Sequence, residues 1–213
     1  MQLTKLGHAC VRLESGGGGR LVIDPGVWSG PGTLAGAQAV LVTHEHPDHL
    51  DAAAVRAALA ADAGLELWSN PSVTAQFAEF GSRVHEVAHG DVVTAAGFDV
   101  HVYGQEHAQI LPGIPVIPNT GFAVDATVFH PGDSFTVPQD KVPTLLLPVS
   151  APWLKMSEAA AYAAAVGPQR GYAIHDAILS APGIGLVSSL LTAMSGPDTG
   201  TLTRLDPGTT VDL

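Results

Sequence analysis

The segment Thr-His-Glu-His-Pro-Asp-His at positions 43–49 constrains this chain more than any other stretch of its sequence. It follows the apolar run AVLVT, which is typical of a strand buried on both faces. In an extended segment, the side chains of His44 and His46 point to the same side. The proline that follows turns the chain, which brings Asp48 and His49 toward the same cavity. Imidazole and carboxylate groups are ligands for zinc, and also for iron or manganese, so the segment predicts a metal site.

The simplest alternative is a polar loop between a strand and a helix, with Asp48 as the helix cap. Charged residues make up only 14% of the chain. Because polar groups are this sparse, four ligand-type side chains at one strand end favour the metal site over the polar loop.

The remaining pattern predicts many short strands with helices between some of them. The strand-like segments are LTKL, CVRLE, RLVID, LELWS, RVHEV, DVVTA, FDVHVYG, TGFAVD, ATVFH, TLLLPV and GYAIH. Helices are predicted over 51–61 with Asp51 as N-cap, over 71–80, over 157–166 with Ser157 as cap, and over 184–194. The turn-rich tail after Gly196 offers one more short strand. No linker interrupts the pattern, so we expect a single α/β domain over residues 1–213, built as a four-layer αββα sandwich.

The composition describes a compact globular protein and disfavours several other classes. Hydrophobic residues make up 46% of the 213 residues, and the formal net charge is −11. The nine basic residues are scattered, so no surface for nucleic acid is expected. The single cysteine, Cys10, excludes an internal disulfide and is expected to be buried. No signal-peptide pattern occurs and Pro or Gly interrupts the long apolar runs, so we expect a cytoplasmic protein without membrane contact; homo-oligomers are compatible with the sequence.

The pattern H-x-H-x-D-H after an apolar strand resembles the metallo-β-lactamase superfamily, a set of di-metal hydrolases with αββα architecture. The family adds a third histidine, a bridging aspartate and a final histidine, each from a later strand end or loop. Candidates occur here in that order: His107 in YGQEHAQ, Asp133 in FHPGDS and His175 in AIHDA. The resemblance extends from LGHACVRL to IHDA. Together with IDPG and HPGDS, this opening is most similar to the branch that includes the L-ascorbate-6-phosphate lactonases.

The resemblance implies a set of ligands for two metal ions. The first ion would be held by His44, His46 and His107, the second by Asp48, His49 and His175, and Asp133 would bridge them. His101 competes with His107, but it lies in the alternating strand FDVHV, which favours a strand-face role. His8 and Asp24 match positions near the family's metal centre and are expected to line the site without binding metal. His130 is expected to be a strand-end histidine beside it.

Two divalent ions would outweigh the charges of Asp48 and Asp133, so the centre would be a positive site in an acidic protein. Such a centre binds an oxyanion and lowers the pKa of a bridging water, which yields hydroxide as the nucleophile. Asp48 is the predicted catalytic residue, because its carboxylate can orient that hydroxide and accept its proton. Zinc is the expected metal, with manganese and iron as alternatives.

The aspartate at position 133 also bears on the substrate. The best-known antibiotic-degrading members carry cysteine at the bridging position, whereas Asp133 resembles the lactonase, thioesterase and phosphodiesterase branches. We therefore expect hydrolysis of a lactone, phosphodiester, phosphate ester or thioester in a small, anionic substrate. The apolar stretch QILPGIPVIPN at 109–119 is a candidate pocket wall, with an ordinary loop as the alternative. Trp153 is a candidate aromatic contact, and Lys155 is expected at the surface.

Two alternatives remain open. The first is a metal-binding or sensing protein that has the same fold but no turnover. The second is a zinc peptidase built on HEVAH at 85–89, which fits the pattern H-E-x-x-H. That chemistry requires a helix, whereas Gly81 and Gly90 bracket the segment and His-Gly-Asp predicts a turn. A short strand and a turn are therefore expected at HEVAH, which disfavours the peptidase.

Overall fold

The computed structural model describes the whole chain, Met1–Leu213, as two seven-stranded sheets that pack face to face. In spatial order, the first sheet consists of β14 (Thr210–Asp212), β1 (Gln2–Lys5), β2 (Val11–Glu14), β3 (Arg20–Ile23), β4 (Ala39–Val42), β5 (Glu66–Ser69) and β6 (Val84–Glu86). The second consists of β13 (Thr201–Thr203), β12 (Arg170–Ile174), β11 (Thr144–Pro148), β10 (Val128–His130), β9 (Gly121–Val124), β8 (Phe98–Tyr103) and β7 (Val92–Ala95). Both sheets mix parallel and antiparallel pairs.

Four helices cover the outer faces of the two sheets. They are α1 (Ala52–Ala61), α2 (Pro71–Thr74), α3 (Met156–Val166) and α4 (Ala181–Met194). The first two belong to the apolar cluster on the outer face of the first sheet, and the last two belong to the cluster on the outer face of the second. None of these helices combines the length and the apolar character that crossing a membrane requires.

The alternation of side chains along the strands explains this layering. In β4, Leu41 belongs to the core between the sheets, whereas Val40 and Val42 belong to the core under α1. All four residues of that strand are buried, as expected for a strand covered on both faces. The predicted four-layer αββα sandwich is therefore confirmed.

Three local predictions are wrong. The helix predicted over 71–80 ends at Thr74 and continues as a 3-10 segment, Ala75–Arg83, in which Phe77 and Gly81 leave helical geometry. The cap of α3 is Lys155 rather than Ser157, because the helix starts one residue earlier and the Glu158 side chain accepts from the Lys155 backbone N–H. The tail contains two strands rather than one, and β13 extends the second sheet while β14 extends the first.

Candidate metal centre

The ligand-type side chains converge at one end of the sandwich, where the loops that follow several strands meet. His44, His46, Asp48 and His49 follow β4, Asp133 follows β10, and His175 follows β12 directly. His107 lies in the loop after β8. Ends of parallel strands meet at one edge of a sheet, so residues far apart in sequence become neighbours.

The first group contains His44, His46 and His107, whose ligand atoms all lie within 4.8 Å of one another. Nε2 of His44 lies 3.1 Å from Nδ1 of His46. Nitrogen atoms bound about 2.0–2.1 Å from one tetrahedral zinc are separated by about 3.3 Å, so this spacing suits two ligands of one ion. His44 and His107 are buried, and His46 is half-buried.

The second group contains Asp48, His49 and His175, and it also includes His8. Oδ2 of Asp48 lies 3.4 Å from Nε2 of His175 and 3.3 Å from Nε2 of His8. The Asp48 side chain is 20% exposed, whereas the three histidines are buried. Asp48 is therefore the member of this group that reaches solvent.

Asp133 lies between the two groups. Its Oδ1 is 3.0 Å from Nε2 of His49, and its Oδ2 is 3.0 Å from Nε2 of His175 and 3.3 Å from Nε2 of His107. One carboxylate thus contacts members of both groups, as a bridging ligand would. Trp153 Nε1 donates a 2.9 Å hydrogen bond to the same Oδ2, which fixes the carboxylate.

Several buried atoms at this centre have no hydrogen-bond partner. They are Nε2 of His8, His49, His107 and His175, and Oδ1 of Asp133. Leaving a buried polar group unsatisfied costs about 1–3 kcal/mol, so a cluster of five needs an explanation. Their mutual contacts have the distance but not the direction of hydrogen bonds, because the atoms point toward common centres rather than toward one another. This arrangement fits divalent metal ions.

In four of the five candidate histidine ligands, all except His46, the ring nitrogen on the opposite side faces an acceptor. Nδ1–H of His107 donates to the carbonyl oxygen of Ala108, and Nδ1–H of His175 donates to that of Ser150, both at 2.5 Å. Nδ1–H of His49 donates to Oδ2 of Asp24 at 2.6 Å. These bonds hold a proton on Nδ1 and make Nε2 the nitrogen that can bind a metal ion, which is the usual arrangement for a histidine that binds metal.

Thr43 arranges His44 in the same way. The Thr43 backbone N–H and hydroxyl donate to the two oxygens of Asp24, each at 2.7 Å. Since its proton is committed to Asp24, the Thr43 hydroxyl oxygen accepts from Nδ1–H of His44 at 3.0 Å. Asp24, whose side chain is fully buried, therefore orients ligands of both groups.

Without metal ions, the carboxylates of the centre raise the pKa of two neighbouring imidazoles. Burial lowers the pKa of His175, but the carboxylates of Asp133 and Asp48, which lie 3.0 and 3.4 Å from its Nε2, outweigh burial and raise it to about 9. Burial also lowers the pKa of His49, but the carboxylates of Asp133 and Asp24 outweigh burial and raise this pKa well above its usual value. Burial raises the pKa of Asp133, but His49 and its neighbours hold it well below the usual range. Positive charge is therefore favoured at this position.

Backbone geometry at the centre is unusual for two residues. Asp24 and His175 have φ values of 51° and 60°, in the left-handed region that side chains other than Gly rarely adopt. Such conformations cost of order 1–3 kcal/mol and concentrate at functional sites. Gly26 permits a further close approach, because a Cβ there would lie 1.9 Å from the backbone oxygen of Asp48.

Two features of the centre were not predicted. His8 lies in the second group, although the sequence indicated only a position near the site. Lys5 is fully buried, and its Nζ donates to the carbonyl oxygen of Ala173 and to Asp176 Oδ1. These bonds tie β1 to the end of β12, which carries His175. Only the packing of the two sheets brings these residues together.

The other candidates lie outside the ligand groups. His101 Nδ1 contacts Asp140 Oδ2 at 2.9 Å on the surface, and Lys155 is exposed beside Glu158. His130 is buried beside the centre, with Nε2 donating to the carbonyl oxygen of Ala9. Burial raises the pKa of the Cys10 thiol to about 12, which makes it a poor nucleophile.

The HEVAH segment is not helical. Residues Val84–Glu86 form β6, and a turn follows at 89–90. The ring of His85 stacks on Trp68 with centroids 4.6 Å apart, and its Nε2 lies 2.7 Å from Glu66 Oε2. The predicted strand and turn are confirmed, and the geometry that a zinc peptidase requires is missing.

Comparison with known proteins gives concordant matches. A family model described as "Beta-lactamase superfamily domain" matches residues 2–175. The chain is 40% identical over 204 residues to Protein Rv0786c of Mycobacterium tuberculosis (strain ATCC 25618 / H37Rv), covering 93% of this chain and 94% of that protein. It is 29% identical over 154 residues, 63% of each chain, to a UPF0173 metal-dependent hydrolase of Chelativorans sp. (strain BNC1). Igni18, a metallo hydrolase from Ignicoccus hospitalis, has a similar fold with a TM-score of 0.73 at 19% identity, covering 99% of this chain and 97% of that one.

Proposed function

Because the chain belongs to the metallo-β-lactamase superfamily of metal-dependent hydrolases, we propose that it binds two divalent metal ions and hydrolyses an ester-type bond in a small-molecule substrate. Zinc is the proposed metal, with manganese or iron as alternatives. His44, His46 and His107 would hold the first ion, Asp48, His49 and His175 would hold the second, and Asp133 would be shared between them. The bond that is cleaved is the ester-type bond of a lactone, phosphodiester, phosphate ester or thioester.

One observation carries this proposal: Nε2 of His49, His107 and His175 and Oδ1 of Asp133 are buried, have no hydrogen-bond partner and belong to adjoining groups of ligand-type side chains. Each of these nitrogens can present a lone pair to a metal ion once it has released any proton, because Nδ1 of His49, His107 and His175 donates to an acceptor and keeps its own proton. Imidazole nitrogens oriented in this way beside an ionised carboxylate are suited to divalent cations.

The residues of the chain have separable roles in hydrolysis. Bound divalent ions supply a Lewis acid and lower the pKa of water, which allows attack near neutral pH. Asp48 accepts the proton of the attacking water, since it is the carboxylate of the centre that reaches solvent. Asp24 and Thr43 hold the imidazoles in one tautomer. Trp153 fixes Asp133 through its indole N–H.

The test combines metal content with turnover. Mass spectrometric metal analysis of the purified protein should give two ions per chain. A panel of chromogenic esters, thioesters, phosphodiesters and lactones should reveal hydrolysis that chelation abolishes. His107→Ala should lose the first ion and the activity, because it removes a proposed ligand. The matched control is His101→Ala, which removes a neighbouring surface histidine.

Two results would contradict the proposal. Unchanged metal content in His107→Ala would show that the assigned ligands are wrong. Two bound ions without turnover of any substrate in the panel would instead support the alternative of a metal-binding or sensing protein with the same fold.

A further inference from the structure

A cavity of about 200 Å³ opens directly beside the metal centre. His46 and His107, both proposed ligands of the first ion, form one end of it. The remaining wall comes from the loop after β8 and is mostly apolar, with Ile110, Ile114 and Val116 among its lining residues and Gln109 as its polar side chain. A molecule bound at the metal centre can therefore extend into this cavity and remain in contact with the protein.

The wall of this cavity exposes apolar surface to water. Ile114 and Val116 are 45% and 43% exposed, and the adjacent Leu111 is 58% exposed. Exposure of apolar area is unfavourable by about 25 cal/mol per Å², so such a cluster beside a reactive centre favours an apolar ligand.

No cationic side chain lines the cavity. Most Lys and Arg side chains of the chain contact carboxylates or backbone carbonyls elsewhere. These pairs are Lys5 and Arg204 with Asp176, Arg12 and Arg20 with Glu14, Arg56 with Glu79, Lys155 with Glu158, Arg83 with the carbonyl oxygens of Leu59 and Asp62, and Arg170 with that of Asp212. A second negative charge on the substrate would have no counter-ion in this cavity.

We propose that this cavity binds the uncharged, apolar portion of the substrate, so that the substrate is an ester or lactone with an aliphatic or aromatic substituent. The inference rests on the proposed function and replaces the expectation of an anionic substrate. In such a substrate, only the group that contacts the metal ions carries negative charge.

Binding of n-alkyl hydroxamates to the metal-loaded protein tests this inference without requiring turnover. Calorimetry with acetohydroxamate, butyrohydroxamate and hexanohydroxamate should show a Kd that falls about fourfold per methylene until the cavity is filled, the factor expected for about 0.8 kcal/mol per buried CH₂. Val116→Asp should remove the dependence on chain length. Leu186→Asp, at an exposed apolar residue of α4 that is 63% exposed, is the matched control and should leave it unchanged.

A Kd that does not vary with chain length would overturn the apolar site, even if the protein hydrolyses esters. Absence of ester turnover together with chain-length-dependent binding would instead contradict the proposed function and leave the apolar site supported. The two failures are therefore distinguishable.

A different observation concerns His8. The backbone N–H of Ala177 donates to Nδ1 of His8 at 3.1 Å. Nδ1 must therefore carry a lone pair, so the proton of the ring is on Nε2. That nitrogen is buried, faces Asp48, His49 and His175, and has no hydrogen-bond partner. The donor and acceptor nitrogens of His8 are therefore reversed relative to His49 and His175, whose Nδ1–H groups donate.

The surroundings hold the His8 ring in this orientation and oppose a flip that would exchange Nδ1 and Nε2. The centroid of the His8 ring lies 4.0 Å from that of His175 and 4.9 Å from that of Trp28, which it meets edge to face. A proton on Nδ1 would point at the Ala177 N–H and break that bond. The backbone also helps to fix the position of His8, because the His175 N–H donates to the carbonyl oxygen of His8.

We infer that His8 is not a fourth metal ligand of the second group but a hydrogen-bond donor, whose Nε2–H binds an oxygen atom of the substrate. Its contact with Asp48 Oδ2 at 3.3 Å lacks hydrogen-bond geometry, so the donor is free for that oxygen. A donor that is fixed before the substrate arrives requires no reorganisation during the reaction.

Three measurements on the zinc-loaded protein test this role. His8→Ala should keep two zinc ions per chain, whereas His175→Ala should lose one. Nitrogen-15 NMR should identify the Nε2–H tautomer of His8 in the wild type. Acetohydroxamate should bind His8→Ala about 10- to 100-fold more weakly, the loss expected for one hydrogen bond to a charged group. His8→Gln, whose amide N–H reaches a similar position, should restore part of that affinity.

Loss of zinc from His8→Ala, or the Nδ1–H tautomer in the wild type, would show that His8 is a ligand. Retention of zinc with unchanged hydroxamate affinity would show that the side chain does not reach the bound oxygen. Each of these outcomes would overturn the inference.

Discussion

Oδ2 of Asp24 lies 2.6 Å from Nδ1 of His49, and both side chains are fully buried. The same carboxylate accepts two hydrogen bonds from Thr43, which in turn accepts from His44. One aspartate that is not a proposed ligand therefore sets the orientation of a histidine in each group. Asp24 contacts Thr43 and His49 directly and His44 through Thr43, and its backbone is in the left-handed region with a φ of 51°.

Asp24→Asn is expected to lower metal affinity without abolishing the fold. An amide is neutral and can accept from His49 only weakly, and asparagine tolerates the left-handed conformation. Replacing such partners of metal ligands typically costs about 10- to 100-fold in affinity. Titration of the metal-free protein against a fluorescent chelator measures the change.

Asp125→Asn is the matched control for this substitution. Asp125 has nearly the same φ, 49°, and also accepts a backbone hydrogen bond, but it lies in an exposed turn. Its replacement should leave metal affinity unchanged. Equal affinity in the two variants would mean that Asp24 does not orient the ligands.

Metal-free protein should lose stability as the pH rises. The pKa of His175 is raised from 6.5 to about 9 by Asp133 and Asp48 in the folded state. Stabilisation from a raised pKa is fully present below the unfolded value of 6.5 and is lost as the pH passes 9. The difference is at most about 3 kcal/mol, since a tenfold change in proton affinity corresponds to about 1.4 kcal/mol.

Urea denaturation in the presence of a chelator, at pH values below 6.5 and above 9, measures this effect. His175→Gln should show a smaller dependence on pH, because it lacks the proton in question. A metal-free wild type that is equally stable at both pH values would indicate that the imidazole is not protonated between the carboxylates.

Gly26→Ala should destabilise the protein and weaken metal binding together. The added methyl group would meet the backbone of Asp48 at 1.9 Å and push apart the loops after β3 and β4. Overpacking of this kind typically costs about 1–3 kcal/mol, measured as a change in the free energy of unfolding.

Gly185→Ala provides the comparison for that variant. Gly185 lies within α4, and an added Cβ would meet nothing within 4 Å. Alanine is favoured over glycine within a helix by about 1 kcal/mol. A gain in stability here, with metal affinity intact, separates the local effect at Gly26 from a general intolerance of larger side chains.

His85→Ala should leave the metal content of the protein unchanged. His85 stacks on Trp68 and contacts Glu66 in a partly exposed position, so its loss should cost about 1 kcal/mol or less. Loss of a metal ion in this variant would revive the peptidase reading of HEVAH.

Local patterns in the sequence predicted the layered fold and drew attention to residues 43–49, whereas His107, Asp133 and His175 were expected from the family resemblance. Strand alternation in FDVHV was sufficient to favour His107 over His101, and the structure has His101 at the surface. The continuous apolar run AVLVT predicted a strand covered on both sides, and all four residues of β4 are buried. Capping chemistry identified Asp51, whose side chain accepts from Ala54 N–H at the start of α1.

Long-range contacts could not be predicted in this way. The tautomer of His8 is set by Ala177, and the orientation of Asp133 is set by Trp153. No periodicity or spacing in the sequence connects these pairs, since the first depends on how the two sheets pack and the second on how neighbouring loops of the second sheet meet. The kink at Phe77 is also a packing effect, because that side chain is fully buried in the core under the helices.

The pairing of β1 with β14 also has a consequence for the synthesis of the chain. Gln2 lies opposite Asp212, so the partner of the first strand leaves the ribosome 210 residues later. Until then, one edge of β1 exposes unpaired backbone groups, and such edges can pair with other nascent chains. Completion of the first sheet must therefore be among the last steps of folding, after the helices and most of the strands have been made.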